Sequence, residues 1–228
     1  MSINIVSRID RNVPLRHALV SVSDKTGLER LIPGLLAVNP NLRLYSTGGT
    51  FARIQEILGP RARDVLTRVS DYTGQPETRG GLVKTLDFKI YLGLLTETYN
   101  PAHQDDLRRT GAVPIDMVVV NLYPFERTVA AAGVTVEQAR GNIDIGGPCM
   151  IRAAAKNFIR VASVVDPADY PMILDNLNAN GGATSLALRL ALAKKAFAHT
   201  ARYDQAIAAY LEPRTLQEAD ACYPGDGQ

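Results

Sequence analysis

The stretch IDMVVVNLY, residues 115–123, is the strongest strand candidate in the chain, and its reading decides the fold. Its valines run without polar interruption, the pattern of a strand covered on both faces rather than one with a wet side. Working outward, ALVSVS (18–23), Leu42 to Tyr45, Val65 to Val69 and VASVV (161–165) are further short strand candidates. Between them lie helical patterns: LERLIPGLLAV (28–38), FARIQEILG (51–59, closed by Gly59 and Pro60), 125–132, 135–141, 148–157 and a helix opening at Pro167. Strand and helix in alternation predict an α/β fold with a mainly parallel sheet flanked by helices. From Thr184 to Leu211 the pattern becomes one long helical segment, expected to be broken or bent because it exceeds ordinary helix length. The closing residues EADACYPGDGQ have no periodicity and read as a frayed tail.

Composition excludes several function classes. With 228 residues, 46% apolar and 21% charged, the chain can bury a core without a staple. A net charge of +2, from 25 Lys and Arg against 23 Asp and Glu, gives no basic surplus for nucleic acid or an acidic membrane surface. Cys149 and Cys222 are far apart, and His17, His103 and His199 are scattered, so neither a zinc motif nor a histidine triad is expected. No apolar run is long enough to span a bilayer, and charges interrupt the N-terminus where a signal peptide needs its apolar stretch. A cytoplasmic protein with reduced cysteines is expected, and its chemistry falls to Lys, Asp, Tyr and backbone groups.

Two strand-to-helix loops are suited to an anion. STGGTF (46–51) sets two glycines among hydroxyl residues where a helix begins, with free N–H groups and the positive end of the helix dipole. A helix cap with a tight turn explains the same residues equally well. VSDKTG (22–27) places Ser23 and Lys25, with Ser21 just before, at the carboxyl edge of a neighbouring strand. Lys25 there reads as a phosphate partner or as a solvated loop lysine. Lys84 and Thr85 follow a glycine pair. Asn121 and Tyr123 end the buried strand, where Tyr123 also reads as a capping aromatic. Asp144 precedes a Gly-Gly-Pro turn, and spacing alone does not join it to Lys156.

Read together, these segments closely resemble the inosine monophosphate (IMP) cyclohydrolase domain, the amino-terminal half of the bifunctional purine enzyme that also carries a formyltransferase. The carrying blocks are VSDKTG (22–27), STGGT (46–50), VSDYTGQPE (69–77), VKTL (83–86), DMVVVNLYPF (116–125), NIDIGGP (142–148), RAAAKN (152–157) and KAFAHTARYD (195–204). The resemblance implies a domain over 16–211, with an α/β core to about 166 and a helical region from 167. It leaves 1–15 as a lead and 212–228 as a tail. It also implies a fold related to methylglyoxal synthase and a stand-alone cyclohydrolase working beside a separate formyltransferase.

The implied reaction closes the pyrimidine ring of 5-formamidoimidazole-4-carboxamide ribotide (FAICAR), releasing water and giving IMP without metal or organic cofactor. A carboxamide nitrogen is a weak nucleophile, so holding it against the formamide carbon supplies much of the rate. A donor to the formyl oxyanion, a base for the nitrogen proton and an acid for the departing hydroxide supply the rest. By resemblance Ser21, Ser23, Lys25, Ser46, Thr47, Gly48, Gly49 and Thr50 surround the ribose phosphate. Lys84, Tyr123, Asp144 and Lys156 form the catalytic set, with Thr85, Asn121, Ile145 and Gly146 lining the base. A homodimer is implied too, with 184–211 as a reasonable contact surface, and His199 is given a structural role.

The chain departs from the family's usual G-R-V-K-T-L-H-P-K-x-H by reading GLVKTLDFKIY over 81–91. Leu82 stands for an arginine, Asp87 and Phe88 for His-Pro, and Tyr91 for a histidine. Phe158 also stands where the family's K-N is commonly followed by histidine. Loss of that arginine removes a cation that leucine cannot replace. This loop motivates the alternative of a non-catalytic purine-nucleotide-binding or regulatory domain on the same fold.

Overall fold

The computed structural model describes residues 5–75 and 85–223. The chain opens with β1 (Asn12–Pro14), β2 (His17–Val22), α1 (Leu28–Val38), β3 (Arg43–Ser46) and α2 (Gly48–Leu58). Next come α3 (Ala62–Val65), β4 (Leu66–Arg68), α4 (Val69–Thr73), α5 (Phe88–Leu95), α6 (Pro101–Thr110) and β5 (Met117–Asn121). The remainder is α7 (Phe125–Val129), α8 (Val136–Gly141), α9 (Gly146–Lys156), β6 (Ala162–Val164), α10 (Tyr170–Ala179), β7 (Ala183–Ser185), α11 (Leu186–Leu211) and α12 (Leu216–Asp220).

Five strands form a wholly parallel sheet in the order β4-β3-β2-β5-β6. The chain builds outward from β2 to β4 on one side, then returns to lay β5 and β6 on the other. Strand order therefore reverses between β2 and β5, where open α/β sheets leave a ligand crevice beyond the carboxyl ends. The valine run behaves as its sequence predicts. Met117 and Val119 enter the core with α1, α2 and α10, while Val118 and Val120 enter the opposite core with α5, α7 and α9.

Residues 186–211, expected to break or bend, form one uninterrupted helix of 26 residues. No Gly or Pro interrupts them. Leu188 and Leu192 join one core layer, and Ala193, Ala196, Tyr203 and Tyr210 the other. A helix held along its whole length in this way has no need to break. Arg189, fully buried, donates to the carbonyls of Phe158, Ile159, Thr184 and Asp10, tying the start of α11 to three other segments.

Residues 12–14, read as part of a lead, pair antiparallel with β7, and Leu15 is buried. Part of the expected tail forms α12, opened by a capping box between Thr215 and Glu218. The helices α5 and α6 are among the elements that had no sequence assignment. In α5 every residue but Lys89, Tyr91 and Gly93 is strongly apolar, so helical periodicity is masked; Asp87 caps it by accepting from Lys89 N–H. In α6 the Asn100-Pro101 start signal is present, and Asn100 caps the helix. Among the described residues no helix is long and apolar enough to cross a membrane, and no cluster of three potential metal ligands occurs.

Candidate active site

A cleft of about 630 Å3 opens at the point where the strand order reverses. Ser21, Ser23 and Lys25 enter it from the loop after β2, and Asn121 and Tyr123 from the end of β5. Gly49 and Thr50 line it from the start of α2, and Asp144, Ile145 and Gly146 from the start of α9, with Thr85 beside them. α2 packs on one face of the sheet and α9 on the other. Their N-termini thus reach the same edge from opposite sides.

One end of the cleft is suited to an anion. Thr47 offers no side-chain cap to α2, which leaves the first N–H groups of the helix without a side-chain acceptor. Gly48, at φ +46°, turns the chain into that helix. The Lys25 ammonium donates to Ser23 O at 3.3 Å and stands over Gly49, 3.9 Å from where a Cβ would lie. Cation and helix N-terminus therefore act on the same volume. The Ser21 and Thr47 hydroxyls meet at 3.1 Å beside it.

The other end carries Asp144. Its Oδ1 accepts the Gly147 N–H at 2.8 Å. Burial pushes its carboxyl above the ordinary carboxylate range, and the N–H groups of Gly147 and Tyr123 pull the other way. A Cβ on Gly147 would lie 2.6 Å from Leu122 Cδ2 and 2.7 Å from Asp144 Oδ2, so only glycine leaves the carboxylate its place. Likewise a Cβ on Gly146 would lie 2.8 Å from Thr85 Oγ1. Tyr123, about half exposed, lines the same cleft.

Several expected site residues have other employment. Ser46 is fully buried and donates to Val20 O at 2.7 Å, so its hydroxyl stitches β3 to β2 and does not face the cleft. Thr50 exchanges hydrogen bonds with Val22 N and O, which positions the start of α2. Asn121 accepts from Asp24 N and donates to Asp24 O, both at 2.8 Å, shaping the Lys25 loop. Thr47 and Gly48 adjoin the cleft without lining it. Lys156, grouped with Asp144 by resemblance, sits exposed in the last turn of α9. Eleven residues at ~1.5 Å each put it roughly 16 Å along the helix from Gly146. Lys84 and Leu82 lie outside the described residues.

Residues 28–149 match the family of the MGS-like domain. The chain belongs to that family. Beyond this MGS-like domain match, residues 154–225 match the AICARFT/IMPCHase bienzyme family. The chain is also similar to bifunctional purine biosynthesis protein PurH of Magnetococcus marinus, 46% identical over 210 residues, 92% of this chain and 38% of that protein. The PurH protein of Synechococcus sp. is 49% identical over 204 residues, 89% of this chain and 38% of that protein. The chain therefore spans less than half the length of these curated relatives. Among solved structures, the crystal structure of ForH superposes with a TM-score of 0.69 at 34% identity, covering 85% of this chain and 97% of that one.

Sequence reasoning missed other cleft residues of this MGS-like domain: Arg140, Ile143, Gly147 and Met150. Gly147 and Met150 flank a proline inside a helix that begins two residues before it, at Gly146. Arg140 offers no motif, because it ends a short capped helix and pairs there with Glu137. It nonetheless lines the cleft.

Proposed function

We propose that the chain is an IMP cyclohydrolase, closing FAICAR to IMP with loss of water in the last step of purine synthesis. The observation that carries this reading is the polarity of the cleft. Lys25 and the α2 N-terminus wait at one end for a phosphate monoester. Asp144, Tyr123 and the α9 N-terminus stand at the other, where the carboxamide and formyl groups would react. Asp144 is placed to take the nitrogen proton. The Gly146 N–H and the Tyr123 hydroxyl are available to the developing oxyanion, and enclosure holds the two reacting groups together. Lys84 belongs to the proposed set by resemblance.

The position of Lys156 supports a homodimer as part of the same reading. An exposed lysine at the far end of α9 cannot serve its own cleft, but it can enter that of a second copy. Leu190, Phe197 and Leu211 leave apolar surface along α11 for such contact. The reading needs no cofactor. It sets the reaction in the cytoplasm, with the substrate supplied by a separate formyltransferase.

The test is incubation of purified protein with the formamido ribotide, following IMP by ultraviolet absorbance against the spontaneous rate. Turnover is expected. Tight IMP binding without turnover would favour the regulatory alternative.

A further inference from the structure

The block KAFAHTARYD (195–204) lies on α11, remote in sequence from every group given a role in the cleft. Its Tyr203 nevertheless reaches the loop that carries the proposed base. The Tyr203 hydroxyl accepts the backbone N–H of Asp144 at 2.8 Å and donates to Asn142 O at 3.4 Å. One buried side chain thus holds both sides of the turn preceding α9. Its ring meets Phe125 edge-on at 6.2 Å between centroids, two residues after Tyr123. Tyr210, two turns further along α11, contacts the same Phe125 at 5.9 Å, also edge-on. Its hydroxyl donates to Thr135 O, well before the Asp144 turn in sequence.

We propose that Tyr203 is a positioning residue for ring closure, fixing Asp144 from behind through its backbone while Gly147 N–H fixes the carboxylate from in front. The inference rests on the cyclohydrolase reading for its kinetic consequence but on geometry alone for its structural one. A loop carboxylate restrained only at its oxygens swings with its own backbone. Anchoring the amide removes that freedom, and displacement of a catalytic group by ~1 Å costs on the order of 100-fold in rate. Supporting hydrogen bonds of this kind set the precision of a site without touching substrate.

The test compares Tyr203→Phe with Tyr210→Phe. Each keeps its ring against Phe125 and loses one hydroxyl, but only the first touches the Asp144 turn. Tyr203→Phe is expected to lower kcat roughly tenfold with KM within about twofold, and to add nothing in an Asp144→Asn background. Tyr210→Phe should leave kcat near wild type. Amide hydrogen exchange read at Asp144 should accelerate in Tyr203→Phe alone. Unchanged exchange at Asp144 overturns the positioning role, whether or not the chain proves active. A kcat loss that persists undiminished on Asp144→Asn, or an equal loss in Tyr210→Phe, overturns it as well. Absence of turnover in the unaltered protein would count against the cyclohydrolase reading, and the exchange result would still decide the role of Tyr203.

Discussion

Asp144 and Lys156 stand at opposite ends of one helix. The carboxylate closes the first turn of α9 through Gly147, and the lysine is exposed in its last turn. A rigid helix of this length holds them apart, and Lys156 does not line the cleft that Asp144 enters.

If a homodimer unites them, Asp144→Asn and Lys156→Ala should each abolish most ring closure alone. Mixing and reassembling the two variants should then restore about a quarter of wild-type activity, through hybrid dimers with one intact cleft. No restoration on mixing, or full activity of Lys156→Ala, would remove Lys156 from the site.

Lys25→Ala should weaken IMP binding about 10- to 100-fold, the usual range for one charge-assisted hydrogen bond to phosphate. Inosine, which lacks the phosphate, should bind both proteins alike. Isothermal titration decides this: equal losses for nucleotide and nucleoside would place Lys25 away from the phosphate.

Asp144 sits above its ordinary pKa of 3.8 because it is partly buried. As a base it acts when ionised, so the acid limb of kcat/KM should fall at a pH above 3.8. Because the folded form holds its proton more tightly than the unfolded chain, stability contributed by this group falls as pH rises through the window between the two values. Asp144→Asn should flatten that dependence in urea titrations. An acid limb at or below the ordinary carboxylate value would argue against Asp144 as the base.

Arg160→Met should destabilise the fold by about 3–5 kcal/mol, the cost of leaving a buried carboxylate unpaired. Arg160 bonds Asp116 Oδ1 at 3.2 Å, and Asp116 Oδ2 accepts the N–H groups of Arg16 and His17, each at 2.9 Å. This knot ties the amino ends of β2 and β5, the edge opposite the cleft. Urea unfolding measures it, and a change below about 1 kcal/mol would show the pair to be dispensable.

Much of the fold was legible because the relevant signals are local. The valines of β5, the glycines opening α2 and the Gly59-Pro60 stop that ends it each act within a few residues. The apolar α5 masked its own period, and the three-residue strands β1 and β7 pair across the whole domain, so no local pattern announced either. At the site, Ser21, Ser23, Lys25, Gly49 and Thr50 line the cleft from the two loops singled out in the sequence. Ser46 instead turns to β2, since a hydroxyl at a strand end serves a ligand or a neighbouring strand equally well by sequence.

By itself the sequence determined the parallel α/β architecture, the order of its loops and the chemical kinds of group available. Periodicity, capping and backbone freedom at glycine are properties of short segments. Only tertiary structure decided which groups meet. Reversal of strand order between β2 and β5 puts Lys25 and Asp144 in one cleft, the length of α9 carries Lys156 out of it, and the return of α11 brings Tyr203 to the Asp144 turn. The Asp144–Tyr203 contact joins residues 59 apart and the Arg16–Asp116 contact residues 100 apart, separations that no local signal encodes.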